Sequence, residues 1–258
     1  MKFLFIAALL LSALGFYRYI YFLSIGYGVA IAGEGLVLLW NYHGKISQVE
    51  FLLVVLLICY GIRLSSFLIY REMKSASYRK RFAEVIKTEK PVGIGLKVAI
   101  WVPVSLLYVA QVAPIYFRLD NGAQAESILL LLGTILMVLG LSLETIADFE
   151  KSKQKKERPD MVATEGIYRM VRCPNYLGEI MFWTGVLVSS VNVLEGAMQW
   201  TISIIGYLCI VFIMVNGTKR LEERQQQSYG TNKEYIEYSN RTPILFPILP
   251  LYHLIKRK

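Results

Sequence analysis

Apolar residues fall in seven blocks parted by short polar stretches: Phe3–Phe16, Ile20–Trp40, Val49–Tyr70, Val92–Phe117, Ser127–Phe149, Asn175–Val191 and Met198–Asn216. A helix needs about 20 mostly apolar residues to cross a bilayer. At these lengths a helix is the spanning element that satisfies its own backbone in lipid. The pattern predicts an all-α integral membrane protein, a single bundle of about seven transmembrane helices. Gly26, Gly28, Gly33 and Glu34 interrupt the second block, and Pro103 and Pro114 are expected to kink the fourth. Met1–Gly15 reads as a short first helix or as a cleaved signal, and the seven-span topology favours the helix. No internal repeat is visible, and residues 1–258 read as one domain.

Composition sharpens this. The chain is 55% hydrophobic, and its mean hydropathy is +0.46. A soluble domain is normally about 45–50% apolar. The net charge of +9 is concentrated: of 28 Lys and Arg, seven lie in Arg71–Lys90, seven in Lys151–Arg172 and eight in Lys219–Lys258. Seven spans place all three stretches on one side, as the positive-inside rule requires. That side is the cytoplasm, which puts the N-terminus outside and the C-terminus inside, in a cell membrane. The clustering argues against nucleic-acid binding. Cys59, Cys173 and Cys209 are far apart and the chain has two histidines, so neither a disulfide framework nor a metal centre is expected.

Polar residues inside apolar blocks are costly and tend to be functional. Glu34 sits among Ala, Ile, Gly and Leu, where a carboxylate is unfavourable by about 2.5–3.5 kcal/mol. It is either an acid in a site or an interfacial carboxyl with a structural partner. Tyr60 and Arg63, three apart, share a helical face. Arg71 and Lys74 follow, either as ligand contacts or as ordinary cytoplasmic charge. Glu144 and Asp148, four apart, also share a face. Two acids there call for a cation or a donor array between them, or for bridging lysines. A basic loop, Lys151 to Arg158, comes next and suggests a phosphate-bearing partner. Pro174 suits the first turn of a helix. It sets Asn175 and Glu179 one turn apart, with Gly178 open to close approach by a helix or a flat ligand. Arg172 precedes that helix start, where anions are favoured. The aromatic tail from Leu221 to Pro243 reads as an ordered cytoplasmic cap able to close over a nucleotide, or as an amphipathic tail on the membrane. No Gly-rich dinucleotide fingerprint follows a strand and no P-loop occurs.

Glu144-x-x-x-Asp148, the run Gly166 to Glu179 with Arg172-Cys173-Pro174-Asn175-Tyr176-Leu177-Gly178-Glu179, and Tyr238-x-x-Arg241-Thr242 resemble the steroid 5-alpha-reductase family, especially its bacterial members. The resemblance covers the C-terminal half, about 127–250, well and the N-terminal half weakly. It implies a seven-helix reductase that uses NADPH to reduce a carbon–carbon double bond conjugated to a carbonyl. By resemblance, Asn175, Glu179, Asp148 and Glu144 hold the cofactor. Arg71, Lys74, Lys155 and Arg172 are the basic groups near its phosphates, and Tyr60 and Glu34 are catalytic. The family's Gln-Glu pair reads Gly33-Glu34 here, and Cys173 stands where relatives carry His. The expected partners are an apolar substrate, a 3-oxo-Δ4 steroid or another lipid enone, and membrane lipid. The expected state is a monomer in a bacterial cell membrane. The alternative is an S-adenosylmethionine-dependent integral-membrane methyltransferase of the isoprenylcysteine or phospholipid type, which resembles Gly166–Gly178 and the Tyr-rich tail.

Overall fold

The computed structural model describes residues 1–74, 93–122 and 127–255. Most of the basic stretch Arg71–Lys90, part of the Arg118–Glu126 loop and the last three basic residues lie outside the described residues. Those described are helical, with no strand. The α-helices are α1 (Lys2–Ser12), α2 (Ile25–Tyr42), α3 (Gln48–Lys74), α4 (Ile94–Asp120), α5 (Ile128–Glu157), α6 (Pro174–Val188), α7 (Gly196–Tyr229) and α8 (Lys233–Arg241). Short 3-10 turns cover Ala13–Phe16, Tyr19–Leu23, Gly166–Arg169 and Val191–Val193. Each apolar block therefore contains one α-helix.

Four helices, α3, α4, α5 and α7, are long and apolar enough to cross a membrane. Only 17% of the most apolar window of α7 is buried. Its Ile204, Ile205, Leu208 and Phe212 face outward, as do Leu131, Ile135 and Leu139 of α5. Apolar surface on this scale is suited to lipid and not to water. The chain is a membrane protein.

Two expectations change. Lys151–Glu157 is not a loop but the last two turns of α5, and Leu221–Arg224 belongs to α7 and not to a tail. Both extensions follow from composition: Lys, Gln, Glu and Arg are good helix formers, and neither stretch contains Gly or Pro. The fourth helix runs unbroken through Pro103 and Pro114.

Cα packing separates two compact units: residues 1–134 with 186–206, and residues 135–185 with 207–258. In the first, α2 and α3 pack tightly at glycines. A Cβ on Gly28 would lie 2.8 Å from the Gly61 carbonyl, and one on Gly61 would lie 2.6 Å from Ala32 N. Small residues are what allow two backbones to approach so closely. The start of α3 is fixed by a reciprocal cap: Ser47 N donates to Glu50 Oε2 (3.0 Å) and Glu50 N to Ser47 Oγ (3.3 Å). Glu50 also pairs with buried Arg118 of α4 at 3.1 Å. At the far end of α3, Glu72 meets Arg18 at 2.5 Å and accepts from the Tyr21 hydroxyl at 2.7 Å.

The second unit is built on a like crossing. A Cβ on Gly140 of α5 would lie 2.5 Å from the Gly178 carbonyl of α6, and one on Gly178 would lie 2.7 Å from the Gly140 carbonyl. Cys173, Ile180, Ile244 and Leu245 form its apolar core, with Tyr176, Val211 and Leu221 packed against them.

Candidate functional site

In the first unit three tyrosines, Tyr27, Tyr60 and Tyr108, pack together beside a helix face that carries a buried carboxyl. Tyr27, Ile31, Glu34 and Leu38 recur at helical spacing on the buried face of α2. Glu34 is fully buried, and neither carboxyl oxygen has a hydrogen-bond partner among the described residues. Tyr60 is fully buried on α3, and its hydroxyl donates to Tyr27 Oη at 3.1 Å. Tyr108 of α4 lies 5.0 Å from Tyr27, ring centre to ring centre. Its hydroxyl donates to the Phe22 carbonyl, and it is near enough to Glu34 for the two groups to interact electrostatically. Arg63 is half-buried one turn beyond Tyr60. Arg71 stacks over Phe67 at 5.6 Å, and Lys74 is exposed at the helix end.

In the second unit the acids gather at the glycine crossing. Glu144 is buried, its Cγ lying where a Cβ at 178 would be only 2.7 Å away. Gly178 thus admits a helix and a carboxylate side chain. Glu179 is 8% exposed beside it. Asp148, half-buried, lies one turn further along α5. The two helices run antiparallel, so that turn approaches the start of α6, where Asn175 sits. The Asn175 amide makes no hydrogen bond among the described residues.

The basic residues have definite partners. Lys155 Nζ donates to Tyr229 Oη at 2.9 Å and to the Pro159 carbonyl at 3.1 Å. Arg172, buried, gives Nη2 to Glu222 Oε1 at 2.9 Å and to the Tyr252 carbonyl. Its Nε and Nη1 are buried with no partner among the described residues. Glu222 also meets His253 Nδ1 at 2.8 Å and accepts from Leu254 N at 2.8 Å. Burial alone would push the Glu222 carboxyl up, but the bonds from Arg172, His253 and Leu254 N hold it below the usual carboxylate range. Burial pushes the Cys173 thiol up to about 12, against the pull of Arg172 and Lys151. It is therefore a neutral packing group at physiological pH.

The region past α7 is ordered. Arg172 N donates to the Pro243 carbonyl and Cys173 N to the Ile244 carbonyl, at 2.9 and 3.0 Å. Tyr238 Oη donates to the Tyr168 carbonyl at 2.7 Å, and Ile167 N to Glu150 Oε2 at 2.9 Å. Sequence reasoning missed Tyr27, Tyr108, Glu50 and Glu222. The Ser47-x-x-Glu50 spacing was a usable signal. Tyr27, seven residues before Glu34, was another.

A family model described as "Protein of unknown function (DUF1295)" matches residues 14–242. The chain belongs to that family. The match takes in both units, including Tyr27, Glu34, Tyr60, Glu144, Asn175, Glu179 and Glu222. No curated protein and no solved structure matches the chain.

Proposed function

We propose that the protein is an NADPH-dependent membrane reductase that saturates a carbon–carbon double bond conjugated to a carbonyl in an apolar substrate, a 3-oxo-Δ4 steroid or similar lipid enone. The observation that carries this reading is Glu34: a carboxyl in an apolar interior with no hydrogen-bond partner among the described residues, on the same buried helix face as Tyr27, whose hydroxyl pairs with that of Tyr60. A group that weakens the fold in this way is best explained by a ligand it serves. The resemblance of Glu144–Asp148 and Arg172–Glu179 to the steroid 5-alpha-reductase family supports the same reading.

The substrate carbonyl accepts hydrogen bonds from Tyr60 and from Glu34 in its protonated form. The Tyr60–Tyr27 hydroxyl pair can reverse, so that Tyr27 donates to Tyr60 and the Tyr60 proton is released to the substrate. NADPH, when bound, supplies the hydride that the β carbon takes. Charge then develops on the carbonyl oxygen, where the two donors stabilise it, and the α carbon takes a proton from solvent. Glu144, Asp148, Asn175 and Glu179 would hold the cofactor's hydroxyl and amide groups. Lys155, Arg172, Arg71 and Lys74 would face its phosphates. The residues fit this: the Asn175 amide and two Arg172 nitrogens have unused hydrogen-bonding capacity. The reading gives seven spans, with α1, α2 and α6 joining the four long helices. It places the N-terminus outside and the C-terminus in the cytoplasm of a bacterial cell membrane.

Detergent-solubilised protein, given a panel of lipid enones, is expected to oxidise NADPH and to bind it in a calorimetric titration. Binding of S-adenosylmethionine with no binding of NADPH would overturn the proposal in favour of the methyltransferase.

A further inference from the structure

Among the described residues of the first unit, Glu34 is one of three buried side chains with an unsatisfied oxygen. Gln111 Oε1 on α4 and Ser203 Oγ on α7 are also buried with no hydrogen-bond partner among the described residues. Helix register sets the three at one depth. Near the start of α2 and the middle of α4, Ser12 touches both: its Oγ is 3.0 Å from Ser105 Oγ, and a Cβ on Gly26 would lie 3.4 Å from its Cα. At the other end, Tyr42 Oη donates to Asp120 Oδ1 at 2.7 Å. The two helices are therefore parallel, and Gln111 falls level with residues 32–33 of α2, within about 3 Å of Glu34 along the axis. The helix α7 runs opposite to α4. Asn121 Nδ2 meets Gln199 Oε1 at 2.9 Å, and a Cβ on Gly206 would lie 2.8 Å from Gln111 N. Ser203, three residues from Gly206, is about 4.5 Å from the Gln111 level.

The chemistry of these groups is not interchangeable. A ketone oxygen only accepts hydrogen bonds, so it can serve Glu34, Tyr60 and Ser203. It cannot satisfy Gln111 Oε1, which needs a donor. A substrate with a single carbonyl would leave that amide oxygen unpaired, as it is without a ligand.

We propose that Gln111 is a specificity-determining residue: the substrate carries a hydroxyl besides its conjugated carbonyl, and that hydroxyl donates to Gln111 Oε1. Ser203 can accept from or donate to the same group. This rests on the reductase reading for the carbonyl, but the hydroxyl contact is a separate binding event. A site built to bond a hydroxyl discriminates strongly against the analogue that lacks it.

The test uses 3-oxo-Δ4 steroids that each add one hydroxyl to the same parent. Their binding to the full-length protein in detergent is followed by quenching of tryptophan fluorescence. At least one hydroxylated member is expected to bind at least about tenfold more tightly than the parent. In Gln111→Leu that advantage falls to about threefold or less. The variant melts no lower than the parent protein, since it loses no hydrogen bond within the fold. Gln111→Met, closer in shape, is read the same way. Equal advantages in variant and wild type, no hydroxyl preference at all, or a lower melting point for both variants would overturn the proposal. NADPH oxidation measured on the same steroids separates the two claims. Oxidation without a hydroxyl preference retains the reductase and removes Gln111. A Gln111-dependent preference without oxidation does the reverse.

Discussion

Tyr60 and Glu34, the two residues assigned to the chemistry, stand in opposite states. Tyr60 has a hydroxyl partner in Tyr27, whereas both Glu34 oxygens lack one among the described residues. Tyr60→Phe removes one hydroxyl and leaves the ring and its contacts in place. If Tyr60 stabilises developing charge on the substrate oxygen, kcat for an enone should fall by about 10²–10³. NADPH affinity should change little, because Tyr60 is not among the residues assigned to the cofactor. Steady-state kinetics beside a calorimetric titration would show this split. Equal turnover by the variant and the wild type would remove Tyr60 from the mechanism. Glu34 was legible in the sequence because a carboxylate interrupts an apolar block, whereas Tyr60 was singled out by its spacing to Arg63 and by the family resemblance. Tyr108 and Gln111 were not, because tyrosine and glutamine in a membrane helix pass for packing until burial and partners are known.

At the scale of elements, the helices were legible from hydropathy and their ends were not. Pro174 opens α6 as its chemistry requires, and each apolar block holds one helix. But α5 and α7 outrun their apolar windows to Glu157 and Tyr229, since hydropathy marks where lipid stops and not where a helix does. The ion pairs were invisible for another reason. Arg18–Glu72, Glu50–Arg118 and Arg172–Glu222 join residues 50 or more apart, and no periodicity links them. Glu222 matters most among them, because one carboxylate fastens the start of α6, through Arg172, to the segment at Tyr252–Leu254. Its carboxyl is held below its ordinary value in the fold. The stability it contributes is therefore fully present above about pH 4.3, the ordinary glutamate value, and is lost as pH falls through the depressed one. In Glu222→Gln this dependence should be missing. The wild type should melt higher at pH 7, and the gap should narrow as the pH is lowered below about 4. A gap of constant size in detergent melts across that range would show that Glu222 acts only by shape.

For the molecule as a whole, the membrane class follows from four long apolar helices with largely unburied surfaces, whereas the sidedness rests on charge. Of the 28 Lys and Arg, 22 fall in three stretches that an even or odd count of spans would distribute differently. With α6 counted as a span, all three share one side; if α6 is omitted, the third stretch falls on the face opposite the other two, whereas omitting α1 or α2 changes only the side of the N-terminus relative to them. The short turn between α2 and α3, at His43–Ser47, then lies on the opposite face from the segment after α8. Each position can be tested with one introduced cysteine in a background where Cys59, Cys173 and Cys209 are replaced. Gly44→Cys should react with a membrane-impermeant maleimide in intact cells, and Leu251→Cys only after lysis. Labelling of both in intact cells, or of neither, would mean an even number of crossings between them and so remove at least one of α3–α7 from the spans. Labelling in the reverse order would retain the count and invert the protein, placing the basic stretches where the positive-inside rule disfavours them.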